Sequence, residues 1–180
     1  GRGAQAGVLV KTAEGLERLA AVDTIVVDKT GTLTEGKPVV DEIVPAAGKS
    51  EKELLRLAGA LEKGSEHPLA EAILGAVKNQ QLELPMAENF EAVTGKGVRA
   101  RVDDAVVLFG NAAFASESGA DLSDLGDRAE ELAELGKTVM YLVQEAGETA
   151  QLLGLIAVAD PVKANARAAI SALHDDGIRI

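Results

Sequence analysis

Thr24-Ile25-Val26-Val27-Asp28-Lys29-Thr30-Gly31-Thr32 carries the central reading of this chain. Four β-branched residues in a row, without polar alternation, describe a short strand covered on both faces, as in a parallel sheet. The small polar residues after it describe a loop at the carboxyl end of that strand, where α/β folds place their ligands. A carboxylate at Asp28, surrounded by the main-chain amides of Lys29 to Thr32, can hold Mg²⁺ and attack a phosphoryl group in line. Lys29 adds positive charge for the transferring phosphate, and Thr30 and Thr32 add hydroxyl donors. A lone Asp at a strand end is ordinarily a polar turn and nothing more, so the weight rests on the whole run.

Outward from this stretch, residues 12–21 fit a short helix with Leu16 and Leu19 on one side. Gly36, Pro38, Pro45 and Gly48 punctuate the next segment. Ser50 caps a helix, with Glu53 as the capping-box partner and Leu54, Leu57, Ala58 and Leu61 as its apolar face. A second helix starts after Pro68 and buries Leu69, Ala72, Ile73, Ala76 and Val77. Residues 90–108 read as short strands broken by Gly95 and Gly97, with Asp103-Asp104 as a hairpin turn. Helices near 112–118 and 122–135 precede strands near 138–144 and 150–158. A last helix after Pro161 buries Val162, Ala166, Ala169, Ile170 and Leu173. Gly177 ends it, and Ile178-Arg179-Ile180 begins another buried strand. The expected architecture is a discontinuous α/β domain with an α+β domain inserted between its halves.

The bulk numbers bound the function. The chain has 180 residues, 47% hydrophobic and 26% charged, which is the composition of a folded protein. Eighteen Lys and Arg stand against 29 Asp and Glu, for a net charge of −11. That balance argues against a nucleic-acid or anionic-membrane surface, since both need clustered positive charge. With no cysteine there is no disulfide and no thiolate metal site. The two histidines, His67 and His174, are too far apart in sequence to suggest a metal site, and His174 reads as structural. No apolar run approaches the roughly 20 residues that cross a bilayer. The chain reads as a soluble piece cut from something longer.

Asp28-Lys29-Thr30-Gly31-Thr32-Leu33-Thr34 resembles, residue for residue, the phosphorylation motif of P-type ATPases. Glu35-Gly36-Lys37-Pro38 resembles the heavy-metal branch of that family, as does the upstream segment from Gly1-Arg2-Gly3-Ala4 to Gly7-Val8-Leu9-Val10-Lys11. The resemblance implies an α/β fold, with a haloacid-dehalogenase-like Rossmann phosphorylation domain (incomplete) at 1–36 and 151–180 and an inserted nucleotide-binding domain at 37–150. It implies that Asp28 accepts the γ-phosphate of ATP, with Asp28 and the main-chain carbonyl of Thr30 holding Mg²⁺. Related phosphatases carry a second Asp two positions after the nucleophile as general acid and base. Thr30 stands there instead, which favours a persistent phosphoenzyme over a soluble phosphatase.

Three further constellations take meaning from that resemblance. Ser65-Glu66-His67-Pro68, at a helix entry, resembles the branch's nucleotide signature, in which the His stacks on or near adenine. Glu62 then contacts the base, and Glu66 supports the loop. Gly95-Lys96-Gly97-Val98 resembles the Gly-x-Gly element beside the nucleotide, and Gly110-Asn111 another pocket position, with Asn111 as a hydrogen-bonding side chain. Asp160-Pro161 resembles the hinge where the chain returns to the phosphorylation domain; by itself it reads as a helix N-terminus with a carboxylate cap. Lys163 and Arg167 read as solvated residues of the helix after it.

The implied parent is an ATP-driven transporter of a heavy-metal cation, copper above others, embedded in a membrane with this part on the cytoplasmic side. Its implied partners are ATP or ADP, the actuator domain and the membrane helices, and not nucleic acid. The Thr-Gly-Asp and Gly-Asp-Gly motifs that complete the family's catalytic half are absent from the chain. It is therefore expected to bind ATP or ADP weakly, to turn over little, and to act alone as a nucleotide-binding module.

Overall fold

The computed structural model describes residue 7 and residues 9–65, 67–147 and 149–180, with only the main chain at Ala146. Gly1 to Ala4, Val8 and Glu66, which carry some of the motif readings, lie outside the described residues. The chain forms two compact units. One joins Gly1–Glu35 to Val162–Ile180, and the other is Gly36–Pro161.

The second unit is built on a six-stranded sheet, β1 (Val39–Pro45), β2 (Ala87–Val93), β3 (Gly97–Val102), β4 (Ala105–Gly110), β5 (Thr138–Ala146) and β6 (Thr149–Ala159). Its spatial order is β1-β6-β5-β4-β3-β2, and every neighbouring pair is antiparallel. The turn between β3 and β4 is the expected Asp103-Asp104 pair. Both residues sit at positive φ (47° and 66°), as a two-residue hairpin that follows the strand twist requires.

Helices cover both faces of this sheet. α2 (Glu51–Glu62) and α3 (Pro68–Asn79) bury Leu54, Leu55, Ala58, Leu61, Ile73 and Val77 against Val98, Phe109, Leu142, Leu153 and Ile156. On the opposite face, α4 (Ala112–Glu117) and α5 (Ser123–Glu134) bring Phe114, Ala115, Ala129 and Leu132 onto Leu108, Tyr141, Val143 and Leu155. Ser50 caps α2 as expected, its Oγ accepting from Glu53 N at 3.3 Å, while the Glu53 carboxylate turns to Lys49 Nζ at 3.1 Å.

Two expectations are corrected by this unit. The segment of Pro38, Pro45 and Gly48 is not only punctuation, because Val39–Pro45 forms the edge strand β1. Pro45 is tolerated at its end because an edge strand leaves one row of amides unpaired. The second domain boundary also lies at 161/162 rather than 150/151. Residues 151–159 belong to β6, which pairs with both β1 and β5, and Leu152 to Val158 is buried throughout. An unbroken apolar run thus marks a sheet covered on both faces, here an antiparallel one.

The first unit opens with α1 (Ala13–Ala20), whose N-terminus is capped by Thr12 Oγ1 accepting from Gly15 N at 3.1 Å. Leu16 and Leu19 share a face as expected and are both exposed. Thr24 pairs in parallel with Arg179, through Ile25 N to Arg179 O (2.8 Å) and Arg179 N to Asp23 O (2.9 Å). The expectation of a strand buried on both faces is not met among the described residues. Arg179 is its one strand partner, Ile25 and Val27 are half-buried, and Val26 is 96% exposed. α6 (Ala166–Asp175) begins later than Pro161. Ala166 is buried and Ile170 and Leu173 are half-buried, whereas Val162 and Ala169 face solvent. Asp160 does not cap this helix, and Lys163 precedes it.

Candidate functional site

The candidate residues fall into two groups, one in each unit. In the first unit, Lys29 to Leu33 make a tight turn after Asp28. Thr30 at φ −75°, ψ 125° and Gly31 at φ 75°, ψ −14° have the geometry of a type II turn, whose third position needs glycine. Thr34 holds it from beneath. Only 3% exposed, it takes Gly31 N on its Oγ1 at 3.1 Å and gives its own main-chain N–H to Lys29 O at 3.2 Å. The side chains of Asp28, Lys29, Thr30 and Thr32 are exposed, and none is engaged by another described residue. The turn thus presents a carboxylate, an ammonium and two hydroxyls outward from a fixed backbone.

Lys163, expected to be solvated, is instead a part of this loop. Its Nζ donates to Gly31 O at 2.7 Å, its main-chain N–H donates to Leu33 O at 2.9 Å, and Val162 pairs with Thr34. The contact spans more than a hundred residues of chain, so no local pattern could announce it. For Mg²⁺, Asp28 and the Thr30 carbonyl are donors of the right kind, since this ion takes oxygen ligands. They supply only part of an octahedral set, and no group of three or more acidic or His side chains that could hold a metal ion occurs among the described residues.

In the second unit, Glu62, His67, Gly95, Gly97 and Asn111 line a single pocket of about 380 Å³. They come from the end of α2, the start of α3, the β2–β3 turn, and the β4–α4 junction. Ser65, Lys96, Thr138, Val139 and Met140 complete much of its wall. The β5 contribution was not legible in sequence, because only the sheet order brings β5 beneath that turn. A cavity of about 410 Å³ near Met86 and Phe90 has Lys63 as its one polar side chain and holds none of the candidate residues.

Glu62 is the electrostatic centre of the pocket. It is 3% exposed, and its Oε2 has no hydrogen-bond partner. Burial pushes its carboxyl above the ordinary range, opposed by a hydrogen bond from Ser65 and by the neighbouring His67. A buried carboxylate oxygen without a hydrogen-bond partner is an acceptor in want of a donor. His67 is the N-cap of α3, with Nδ1 accepting from Leu69 N at 3.2 Å. That bond leaves the ring proton on Nε2 and fixes the plane of an exposed imidazole.

The glycines and Asn111 shape the pocket rather than fill it. Gly95 stands at φ 74° with open space where a Cβ would go. Gly97 is held instead by its own sheet: a Cβ there would run into the Phe109 carbonyl and the Gly110 Cα across the β3–β4 pair. Asn111 caps α4, its Oδ1 accepting from Phe114 N at 3.0 Å, and its Nδ2 donates to Gly95 O at 2.9 Å. One amide N–H of Asn111 remains for a ligand.

Across the site and the whole chain, known proteins are similar. The model of the haloacid dehalogenase-like hydrolases matches residues 22–180. A copper-transporting P-type ATPase of Rhizobium leguminosarum bv. viciae is 48% identical over 180 residues, all of this chain and 21% of that protein. The crystal structure of a zinc-transporting PIB-type ATPase in the E2.Pi state superposes with a TM-score of 0.83 at 39% identity, covering 98% of this chain and 28% of that one. The N-domain of a copper-transporting P-type ATPase superposes at 0.57 and 31% identity, covering 67% of this chain and 99% of that domain. The chain thus spans about a fifth of the length of the curated relatives it matches. It belongs to the haloacid dehalogenase-like hydrolases, and its homologues there are heavy-metal P-type ATPases.

Proposed function

We propose that this chain is the ATP-binding and phosphorylation region of an ATP-driven heavy-metal cation transporter, with copper as cargo and Asp28 as the residue that becomes phosphorylated. The observation that carries the reading is the convergence of five candidate residues from four segments on one pocket, among them buried Glu62 with an oxygen that has no hydrogen-bond partner. Adenine suits that pocket: its exocyclic amino group is the donor that Glu62 lacks, and its face can stack on the imidazole of His67.

In the phosphorylation step, an Asp28 oxygen attacks the γ-phosphorus in line, the bond from phosphorus to the bridging oxygen breaks, and ADP leaves. Lys29 places positive charge beside the transferring group, and the Thr30 and Thr32 hydroxyls can donate to its oxygens. Mg²⁺ would be held by the Asp28 carboxylate and the Thr30 carbonyl, and it supplies neutralisation of phosphate charge. Thr30 cannot act as an acid or base at neutral pH, which supports a lasting aspartyl-phosphate over phosphatase turnover. The actuator domain and membrane helices of a longer protein, with this region on the cytoplasmic side, belong to the same proposal. Copper rests on relatives that carry that ion in their names, while a similar structure is named for zinc.

Titrating ATP with Mg²⁺ while recording amide chemical shifts tests the pocket. Shifts should concentrate at Ser65, His67, 94–97 and 138–140. No saturable shifts, or shifts confined elsewhere, contradict the reading.

A further inference from the structure

We propose that Lys96 is the pocket's ligand for the nucleotide's phosphates, paired with Glu117 as a displaceable counter-ion. The assignment rests on the adenine-nucleotide reading and adds to it the group that recognises the polyphosphate.

Among the described residues lining the pocket, Lys96 is the single Lys or Arg. The chain as a whole carries −11, so its long-range field opposes a polyanion and a local cation must offset it. Lys96 stands between Gly95 and Gly97 at the β2–β3 turn. Its main chain is fixed on both sides, N–H to Val93 O at 3.0 Å and C=O from Asn111 N at 2.9 Å, so only the side chain is left to move. Its Nζ reaches both carboxylate oxygens of Glu117, at 2.8 and 2.6 Å.

Glu117 does not line the pocket and ends α4. A negative charge at a helix C-terminus opposes the helix dipole, so helix stability does not account for it there. The pair is partly open to water, with 38% of the Lys96 and 56% of the Glu117 side chain exposed. Exposed ion pairs are weak, and a polyphosphate carries several charges against one carboxylate. A bound nucleotide can therefore draw Lys96 away from Glu117, while adenosine cannot.

Calorimetric titration of ATP and of adenosine into the parent chain, Lys96→Met and Glu117→Gln tests this. Lys96→Met should weaken ATP by roughly fivefold, and Glu117→Gln should tighten it by about two- to fivefold. Adenosine affinity should not change in either variant, and Lys96→Arg should keep most of the ATP affinity. If the pair only staples the turn to α4, Glu117→Gln will lower the melting temperature and leave ATP affinity unchanged or weaker, which overturns the assignment. Equal ATP binding by Lys96→Met overturns it as well. If the folded parent binds neither ligand, the nucleotide reading fails and the assignment falls with it.

Discussion

At the scale of single residues, Glu62 concentrates the tension between folding and function. It is buried in the pocket wall with one oxygen unpaired, and burial holds its carboxyl above the ordinary range. A carboxyl raised in the folded state favours folding when protonated. That contribution is complete below the unfolded pKa of about 4.3 and is lost as pH rises through the folded value. Glu62→Gln should therefore stabilise the chain at pH 7 by on the order of 1 kcal/mol, and the gain should vanish as pH falls below about 4. Urea denaturation across pH measures it, and a pH-independent difference would rule out the desolvated charge as its cause. Asp28, Lys29, Thr30 and Thr32 lie within one short run, so their sharing of one exposed turn was legible in sequence. That Glu62 and His67 come close together was legible too, because they lie within one helix–turn–helix. Lys96 stood in view between two glycines, but Glu117, which pairs with it, lies on another element.

Among the elements, the loop 29–33 depends on a partner far along the chain. Lys163 grips the Gly31 carbonyl from outside, while Thr34 takes the Gly31 amide from within. Lys163→Met removes one charge-assisted hydrogen bond and leaves the main-chain bond from residue 163 to Leu33. We predict about 1 kcal/mol less resistance to local opening, seen as roughly fivefold faster amide exchange at Gly31. Unchanged exchange there would mean that the ammonium contributes nothing to the loop. Helix positions were legible from apolar spacing and caps, as at Ser50 and Pro68. Strand β1 was not, because Asp41 and Glu42 interrupt its apolar run and a register shift falls between Val40 and Glu42. The start of α6 was misplaced because Pro161 looks like a first-turn proline, whereas residues 162–163 serve the Asp28 loop.

At the scale of the whole molecule, the division into two units sets what each can do alone. The pocket lies entirely within Gly36–Pro161. The two ends of that unit are already joined, by Val39 opposite Ala159 and by Lys37 N donating to Asp160 Oδ1 at 3.1 Å. Residues 36–161 alone should thus melt cooperatively and bind ATP within about twofold of the parent affinity, since distant, independent parts contribute additively. Loss of binding on excision would show that the other unit completes the pocket. The inserted arrangement was legible from the strand–loop signature at one end of the chain and the strand–helix–strand unit at the other. The return point was not, because nothing in the apolar run 152–158 marks a change of domain before Pro161. Whether this unit holds adenine against His67 is decided by calorimetry of ATP with the parent and with His67→Asn. Asn retains the helix cap that His67 supplies and removes only the ring. The parent should bind saturably and the variant about tenfold more weakly, the scale of one lost base stack. Equal affinity in the two, or no binding by a folded parent, would contradict that placement of adenine.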